Sequence, residues 1–369
     1  MHILDTVLSQ INQLTPYTPG KPVEEVEREL GISNAIKLAS NENPLGCSEK
    51  VIQLMRDATS QISIYPDANA FYLKQALAKK LNVQTSQITI GNGSNDVLDI
   101  IGRTFLEKGK EAIFSEYAFL VYPLVTQACG AIAQITPAND RNSEQPYGHD
   151  LDAMLQAIND ETALIFIANP NNPTGTWLSD NDLLGFLQQV PPHIAVVIDE
   201  AYFEYVEQEA YPDTSLWLSQ FPNLIVTRTF SKIYGLAGLR LGYALSSPEI
   251  CDILNRVRQP FNGNSVALAA AIESLNDDDF VLKSRQNNRQ SLQSLVQYCE
   301  SKGLSYIPSV GNFLTVEFPG RAADIYNQLM QKGVIVRPVA NYRLNDYLRI
   351  SMGTARQIEQ LITALDDIL

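Results

Sequence analysis

Between residues 88 and 245 the sequence alternates short runs of apolar and β-branched residues with longer amphipathic segments. This alternation limits the fold more than any other feature, because such runs separated by helices form a mainly parallel sheet that is covered on both faces. In these sheets ligands bind beyond the carboxyl ends of the strands, so residues that directly follow a run are candidate site residues. The predicted strands are residues 88–90, 112–115, 131–136, 163–168, 195–199, 224–229 and 240–245, with intervening helices that include 96–107 and 182–190.

After about residue 260 the pattern changes to that of a compact α+β unit. Its predicted helices are residues 261–275, 280–302, 321–332 and 355–368. Its predicted strands are residues 313–318, 334–337 and 347–351. We therefore predict an N-terminal arm (1–30), a large α/β domain (31–265) whose first residues are shared with the small domain, and a small C-terminal domain (266–369). Prolines at positions 16, 19 and 22 are expected to keep the middle of the arm extended.

Charge and composition exclude several classes of protein. The chain has 41 acidic and 27 basic side chains, a formal charge of −14, which argues against a general nucleic-acid binder or a basic membrane-surface protein. Its four cysteines are far apart and it has three histidines, so no zinc ribbon, disulfide framework or histidine metal cluster is expected. The N-terminus lacks the features of a signal peptide, and the apolar runs are too short to span a membrane. We expect a soluble, cytoplasmic protein with no metal.

Lys232 is the first candidate catalytic residue. It is the only lysine between Lys110 and Lys283, and it comes shortly after the predicted strand 224–229. A lysine that is buried at a strand end has a lowered amine pKa and can form a Schiff base with a carbonyl group. The alternative is an ordinary exposed lysine, which is the commoner state of this residue type. The neighbouring motifs favour the functional interpretation.

Polar residues at two other strand ends fit the ring of pyridoxal phosphate. Asp199 ends the run 195–199, and a buried carboxylate there needs a cationic partner such as a protonated pyridine nitrogen. Tyr202 follows three residues later, and Asn172 lies in the turn NPNNPTG at residues 169–175. Both side chains can donate a hydrogen bond to the ring oxygen of that cofactor. Taken alone, the turn is equally consistent with an ordinary tight loop.

A phosphate-binding turn is predicted at GNGSND, residues 91–96. The turn follows the first predicted strand and begins a helix, so the N–H groups of Ser94 and Asn95 are placed to bind an anion. Ser231 and Arg240 supply a hydroxyl and a guanidinium group, and arginine suits phosphate geometrically. One glycine-rich turn is weak support, but its combination with the lysine and the carboxylate predicts a pyridoxal-phosphate site.

The chain resembles the fold-type I, class-II pyridoxal-phosphate aminotransferases, and within them the histidinol-phosphate aminotransferases. The motifs that carry the resemblance are LTPYTPGKPVEEVERELG (14–31), KLASNENPLG (37–46), YPD (65–67), NPNNPTG (169–175), DEAYFEY (199–205), RTFSKIYGLAGLRLGY (228–243), VRPVANY (336–342) and LRISMGT (348–354). It implies a large domain with a mainly parallel sheet flanked by helices, a smaller α+β domain and a homodimer.

The resemblance also implies a role for each matching residue. Lys232, Asp199 and Tyr202 would be catalytic, with Lys232 bonded to the cofactor. The implied cofactor-binding residues are Tyr65, Ser94, Asn95, Phe119, Asn172, Asp199, Tyr202, Ser231, Lys232 and Arg240. Within this set Phe119 would stack on the ring, and Tyr65 would reach the cofactor phosphate of the neighbouring subunit. The implied substrate-binding residues are Tyr17, Asn43 and Arg349.

The reaction that the resemblance implies is transamination between L-histidinol phosphate and 2-oxoglutarate, a step of histidine biosynthesis that gives imidazole-acetol phosphate and L-glutamate. Arg349 would face the phosphate of one substrate and the carboxylate of the other. Asn341 and Arg343 stand where related sequences often have glycines, and they are expected to add bulk near Arg349.

Two alternatives remain open, and a third is disfavoured. An aromatic amino-acid aminotransferase would share every catalytic residue, and a phosphothreonine decarboxylase of the same fold would release carbon dioxide. A cofactor-binding regulator would need a DNA-binding domain, for which the arm is too short.

Overall fold

The structure is a computed structural model, and it describes residues 2–16, 20–58 and 62–369. The strands are β1 (Ile36–Lys37), β2 (Ile88–Gly91), β3 (Glu111–Ser115), β4 (Ile132–Thr136), β5 (Thr162–Ala168), β6 (Ala195–Asp199), β7 (Leu224–Thr229), β8 (Gly242–Leu245), β9 (Tyr306–Ile307), β10 (Phe313–Glu317), β11 (Val334–Ile335), β12 (Arg337–Pro338) and β13 (Tyr347–Ser351). The α-helices are α1 (Ser9–Asn12), α2 (Val23–Leu30), α3 (Glu49–Ala58), α4 (Phe71–Leu81), α5 (Ser94–Phe105), α6 (Val121–Ala128), α7 (Leu151–Gln156), α8 (Asp180–Leu187), α9 (Pro248–Val257), α10 (Ser265–Leu275), α11 (Asp278–Lys302), α12 (Ala322–Gln331) and α13 (Ala355–Asp366).

The large sheet contains seven strands in the order β2-β8-β7-β6-β5-β3-β4. Strand β8 runs antiparallel to both of its neighbours, and the other pairs are parallel. The predicted mainly parallel sheet is therefore confirmed. The last predicted strand began at residue 240, but β8 begins at Gly242 because Arg240 has a φ of 55° and cannot continue an extended strand.

Both faces of the large sheet are covered, as the apolar runs predicted. Successive side chains of β5 point to opposite faces, so Ile165 and Ile167 lie in one core, and Leu164 and Phe166 lie in another. The first core includes residues of α4, α7, α8 and α10, and the second includes residues of α5, α6 and α9. Burial of each large apolar side chain contributes roughly 1.5–3 kcal/mol.

A second, antiparallel sheet has the order β12-β13-β10-β9, and β1 pairs separately with β11 in parallel. Helices α11, α12 and α13 contribute to the core beneath it. Ile36 and Leu38 belong to this core, so early residues of the chain do pack with the C-terminal unit. The single strand predicted at 334–337 is two short strands, because residues 334–335 pair with β1 and residues 337–338 pair with β13.

Helix α10 packs differently from the predicted domain division at residue 265. Its residues Ala267, Leu268 and Leu275 lie in the core of the large sheet, and the helix contacts α3 and α4. Leu295 and Cys299, in the second half of α11, lie in the core beneath the antiparallel sheet. This packing favours a division within α11 over one at residue 265, and the domain bounds stay a prediction. Within the described residues, no helix is both long enough and apolar enough to cross a membrane.

Candidate active site

A cavity of about 250 Å³ lies at the carboxyl ends of β5, β6 and β7, with part of its wall formed by β12 and β13. The sequence pointed to this edge of the sheet. The predicted site residues that line the cavity are Ser94, Asn95, Phe119, Asn172, Asp199, Tyr202, Ser231, Lys232, Arg240 and Arg349. The fold thus brings residues from distant parts of the sequence to one place.

Lys232 enters the cavity three residues after the end of β7. Its Nζ donates a hydrogen bond to the carbonyl oxygen of Ser40 at 3.2 Å and lies 5.6 Å from the centre of the Tyr202 ring. Burial, assisted by the positive charge of Arg349, lowers the pKa of Lys232 to about 8, although Glu42 opposes the shift. An appreciable fraction of this amine is therefore neutral near physiological pH and able to accept a proton or attack a carbonyl group.

Asp199 is a buried carboxylate at the end of β6, with 4% of its surface exposed. Its Oδ2 accepts a hydrogen bond from the hydroxyl of Tyr122 at 2.9 Å, and its Oδ1 accepts one from Thr227 Oγ1 at 3.0 Å. Burial raises the pKa of Asp199, and the hydrogen bonds from Tyr122 and Thr227 oppose this shift. Because both partners are neutral hydroxyl groups, they do not cancel the negative charge of Asp199. A cation such as a protonated pyridine nitrogen can therefore pair with this carboxylate.

Arg349 fixes the orientation of Asn172. The guanidinium donates from NH1 to Asn172 Oδ1 at 2.5 Å and from NH2 to the carbonyl oxygen of Ala39 at 2.7 Å. Since the amide oxygen of Asn172 accepts from arginine, its amide nitrogen is the atom left to donate. Asn172 is therefore suited to donate to a ring oxygen, as the sequence predicted.

The start of α5 forms an anion-binding cradle. Gly93 precedes the helix with a φ of 88°, and a Cβ atom there would lie 2.5 Å from NH2 of Arg240. A Cβ atom on Gly242 would lie 2.4 Å from the backbone nitrogen of Ser94. Gly93 is required by its positive φ and Gly242 by the close approach of the Ser94 backbone, and the first N–H groups of α5 therefore lie beside a guanidinium group. This combination suits a phosphate.

The cavity fits the predicted cofactor at each of its charged or polar positions. A buried carboxylate stands at one wall, the amine of Lys232 lies within the cavity, and the helix start with Arg240 forms a positive region. Phe119 supplies an aromatic ring to the wall. Among the described residues, no group of three or more histidine, cysteine, aspartate or glutamate side chains is placed to hold a metal ion.

Two predicted site residues, Asn43 and Tyr65, are not among the described residues that line the cavity. Tyr17 lies outside the described residues. Asn43 is buried, and its amide donates to the carbonyl oxygen of Ile233 at 2.7 Å and to Ser284 Oγ at 2.9 Å, so it holds the segment after Lys232. Tyr65 is 80% exposed, and its ring lies 4.8 Å from that of Phe261. The binding roles assigned to these residues stay predictions.

The structure adds cavity residues that sequence reasoning did not single out. Arg337 on β12 is 8% exposed and lies directly opposite Arg349 in the β12–β13 register. Both arginines line the cavity, which therefore presents two neighbouring guanidinium groups. A signal was available, since an arginine inside the apolar run GVIVRPV is unusual unless it binds an anion or a carboxylate.

Asn341 and Arg343 do not line this cavity, in contrast to the bulk expected near Arg349. Asn341 borders a second cavity of about 680 Å³, which shares Gly20 and Arg337 with the first. Arg343 is exposed, has a φ of 64°, and its NH1 lies 3.9 Å from Glu116 Oε2. This left-handed conformation explains why glycine suits the position.

Comparisons with known proteins agree with this geometry. A family model described as aminotransferase class I and II matches residues 33–365. The histidinol-phosphate aminotransferase 1 of Mannheimia succiniciproducens is 52% identical over 369 residues, covering 100% of this chain and 99% of the relative. A protein of the same name from Idiomarina loihiensis is 52% identical over 362 residues, covering 98% and 97%. The crystal structure of histidinol-phosphate aminotransferase from Sinorhizobium meliloti in complex with pyridoxal-5'-phosphate is similar with a TM-score of 0.89 and 31% identity, covering 98% of this chain and 97% of that chain.

Proposed function

We propose, because the chain belongs to the aminotransferase class I and II family, that it transfers an amino group between L-histidinol phosphate and 2-oxoglutarate. The products are imidazole-acetol phosphate and L-glutamate, and the cofactor is pyridoxal 5'-phosphate. The observation that carries the proposal is the cavity that joins Lys232, the buried Asp199 and the cradle at the start of α5 to two arginines of the small sheet. Relatives with the same activity in their names match the whole chain, which favours this reaction over aromatic amino-acid transamination. Amino transfer from histidinol phosphate by the purified protein tests the proposal.

Each part of the cavity would hold one part of the cofactor. Lys232 would bind it covalently, Asp199 would pair with the ring nitrogen, and Asn172 and Tyr202 would donate to the ring oxygen. The residues that would bind the phosphate are Ser94, Asn95, Ser231 and Arg240. Phe119 would cover one face of the ring. When bound, the cofactor supplies an electron sink that makes the hydrogen on the substrate carbon beside the amino group acidic.

The proton transfer is the task of Lys232. Its Nζ would accept the proton from the substrate carbon beside the amino group and deliver it to a carbon of the cofactor. This transfer requires an amine that is neutral for part of the time. The lowered pKa of Lys232, about 8, meets this requirement. Asp199 would keep a proton on the ring nitrogen, and the positive charge held there would stabilise the negative charge that develops on the substrate carbon.

The two arginines select substrates that carry an anionic group. Arg337 and Arg349 lie opposite each other on neighbouring strands, and both line the cavity. A phosphate or a carboxylate can be bound there by charge-assisted hydrogen bonds, because guanidinium groups match both anions in geometry. One pair of residues therefore serves both half-reactions, in which the substrates differ but each has an anionic end.

Arg349→Gln should raise the KM for histidinol phosphate and for 2-oxoglutarate together. A charged hydrogen bond contributes roughly 1.5–3 kcal/mol, so kcat/KM should fall about 10- to 150-fold for each substrate. Binding of the cofactor's phosphate group should change little, because Arg240 rather than Arg349 lies in the cradle for that group. Steady-state kinetics with each substrate varied in turn provide the measurement. Arg343→Gln, at an exposed position outside the cavity, is the control. Loss confined to one substrate would contradict a shared site.

The apoenzyme should capture pyridoxal phosphate faster as the pH rises through about 8. Capture requires the neutral amine of Lys232, and an exposed lysine would reach that form only near its ordinary pKa of about 10.4. Glu42→Gln should move the midpoint to lower pH, because the carboxylate of Glu42 raises the pKa of Lys232. Stopped-flow absorbance of apoenzyme mixed with cofactor measures the rate. A midpoint near the ordinary lysine value in the unaltered protein would rule out a buried, activated amine.

We also propose that the enzyme is a cytoplasmic homodimer. Apolar side chains are exposed around residues 64–72 and at Phe261, including Tyr65 at 80% and Tyr72 at 72%. Contiguous apolar surface of this kind is typical of an interaction site. We propose that a second copy covers this surface, and the sequence resemblance implies that Tyr65 would then reach the cofactor phosphate of the neighbouring subunit.

A further inference from the structure

Asn41 lies between β1 and α3 and forms part of the cavity wall, with 1% of its surface exposed. Its backbone has a φ of 55°, in the left-handed region that residues other than glycine rarely adopt. Asparagine tolerates this region better than most residues do. Because a buried side-chain amide is costly unless its polar atoms are hydrogen-bonded, the Asn41 side chain requires hydrogen-bond partners at this position.

Hydrogen bonds at both ends of the Asn41 amide determine its orientation. Its Oδ1 accepts a hydrogen bond from Ser351 Oγ at 2.8 Å, and its Nδ2 donates to the hydroxyl of Tyr202 at 2.9 Å. Ser351 Oγ also accepts a hydrogen bond from the backbone N–H of Asn41 at 2.8 Å. The hydroxyl proton of Ser351 is therefore the one that is donated to Oδ1. Because Oδ1 faces this donor, the other end of the amide must be the donor, and Tyr202 must accept.

This arrangement determines where the hydroxyl of Tyr202 can send its proton. An oxygen that accepts from Asn41 does not donate to the same amide nitrogen, so its own proton is directed elsewhere. Accepting a hydrogen bond also polarises the hydroxyl and makes it a stronger donor. Asn41 thus prepares Tyr202 to donate.

Asn41 also connects two walls of the cavity. Tyr202 follows β6 of the large sheet, whereas Ser351 ends β13, two residues after Arg349 on the same face of that strand. The carbonyl oxygen of Asn41 accepts a further hydrogen bond from Asn312 Nδ2 at 3.0 Å. Any movement of β13 that accompanies anion binding at Arg349 would therefore act on Asn41 and on the phenol of Tyr202.

We propose that Asn41 is a positioning residue, whose amide makes Tyr202 a directed hydrogen-bond donor to the ring oxygen of the cofactor and ties that donor to the strand that carries Arg349. The inference rests on the proposed function, since the acceptor belongs to the cofactor. Donors to a ring oxygen favour the form in which that oxygen is negatively charged. Loss of the Asn41 amide should therefore shift the pH titration of the bound cofactor's visible absorbance upward.

Asn41→Gly tests this role without straining the backbone, because glycine adopts a φ of 55° at no steric cost. In the holoenzyme, the midpoint of the absorbance titration should move to higher pH, and kcat/KM should fall roughly three- to tenfold, as for the loss of one neutral hydrogen bond. The charged groups that act on the amine of Lys232 are Arg349, Glu42, Arg240 and Asp199, and the substitution leaves all of them in place. Asn34→Gly is the matched control, since Asn34 also has a positive φ, 62°, but is exposed and does not line the cavity. It should change neither quantity.

A double-substitution cycle separates an effect through Tyr202 from a general loosening of the cavity. In a Tyr202→Phe background, Asn41→Gly should shift the midpoint no further and should change kcat/KM less than about twofold, because the hydroxyl through which it acts is absent. Ser351→Ala removes the partner of Oδ1 and of the backbone nitrogen of Asn41 but leaves Nδ2 beside Tyr202, so it should give a smaller upward shift. An unshifted midpoint in Asn41→Gly, or effects that add fully in the Tyr202→Phe background, would overturn the inference. A wild-type protein that gives no visible band with pyridoxal phosphate would overturn the proposed function as well.

Discussion

Lys232→Ala should reduce amino transfer by at least about 10³-fold, in line with the loss of both a nucleophile and a general base. The amine lies in the cavity with a pKa of about 8, and among the described residues that line this cavity there is no other lysine. The visible absorbance that accompanies covalent attachment of the cofactor should disappear. Pyridoxal phosphate should still bind reversibly, because the start of α5, Ser231 and Arg240 are unchanged.

Absorbance spectra and turnover assays on the purified variant provide the measurement. Lys108→Ala is the matched control, because Lys108 is exposed in the turn before β3 and should have no influence on either property. Activity of Lys232→Ala within about tenfold of the unaltered protein would show that a different group carries the reaction.

Asp199→Asn should lower kcat by on the order of 10²-fold or more, which corresponds to about 2.7 kcal/mol of transition-state stabilisation. Asparagine has nearly the same size as aspartate but no charge, so it cannot hold a proton on a neighbouring ring nitrogen. The apoenzyme should not lose stability. Burial raises the pKa of Asp199, so the ionised form costs folding free energy at neutral pH, and a neutral side chain removes this cost.

The combination of lower kcat and an unchanged or higher Tm of the apoenzyme separates a catalytic role from a structural one. Asp180→Asn, at an exposed position at the start of α8, is the control and should leave kcat unchanged. A fall in kcat of less than about threefold for Asp199→Asn would mean that another group pairs with the ring nitrogen.

The strands and the polar residues at their ends could be predicted because their signals are local. A buried parallel strand is a short apolar run, and the fold directs the residues immediately after it to one edge of the sheet. Lys232, Asp199 and Asn172 were found in this way, and all three line one cavity. Helix α10 shows the limit of such reasoning, since an apolar helix does not reveal which of two cores it joins.

The residues that support this set could not be found from local patterns. Tyr122 contacts Asp199 across 77 positions of sequence, and Asn41 contacts Tyr202 across 161. Tyr122 stacks on Phe166 with ring centres 4.6 Å apart, so in the sequence it looks like an ordinary core aromatic of an apolar helix. Asn41 sits in a polar loop segment where asparagine is common. Only the folded arrangement gives these side chains their partners.

The most direct test of the proposed function is a paired assay of the purified enzyme loaded with pyridoxal phosphate, in which glutamate formation from 2-oxoglutarate is measured with L-histidinol phosphate or L-phenylalanine as amino donor. Arg337 and Arg349 line the cavity, and the phosphate of histidinol phosphate offers them more charge and more acceptor oxygens than the single carboxylate of phenylalanine. We therefore expect a kcat/KM for histidinol phosphate at least about tenfold above that for phenylalanine. Equal or faster transfer from phenylalanine, or no glutamate from histidinol phosphate, would contradict it.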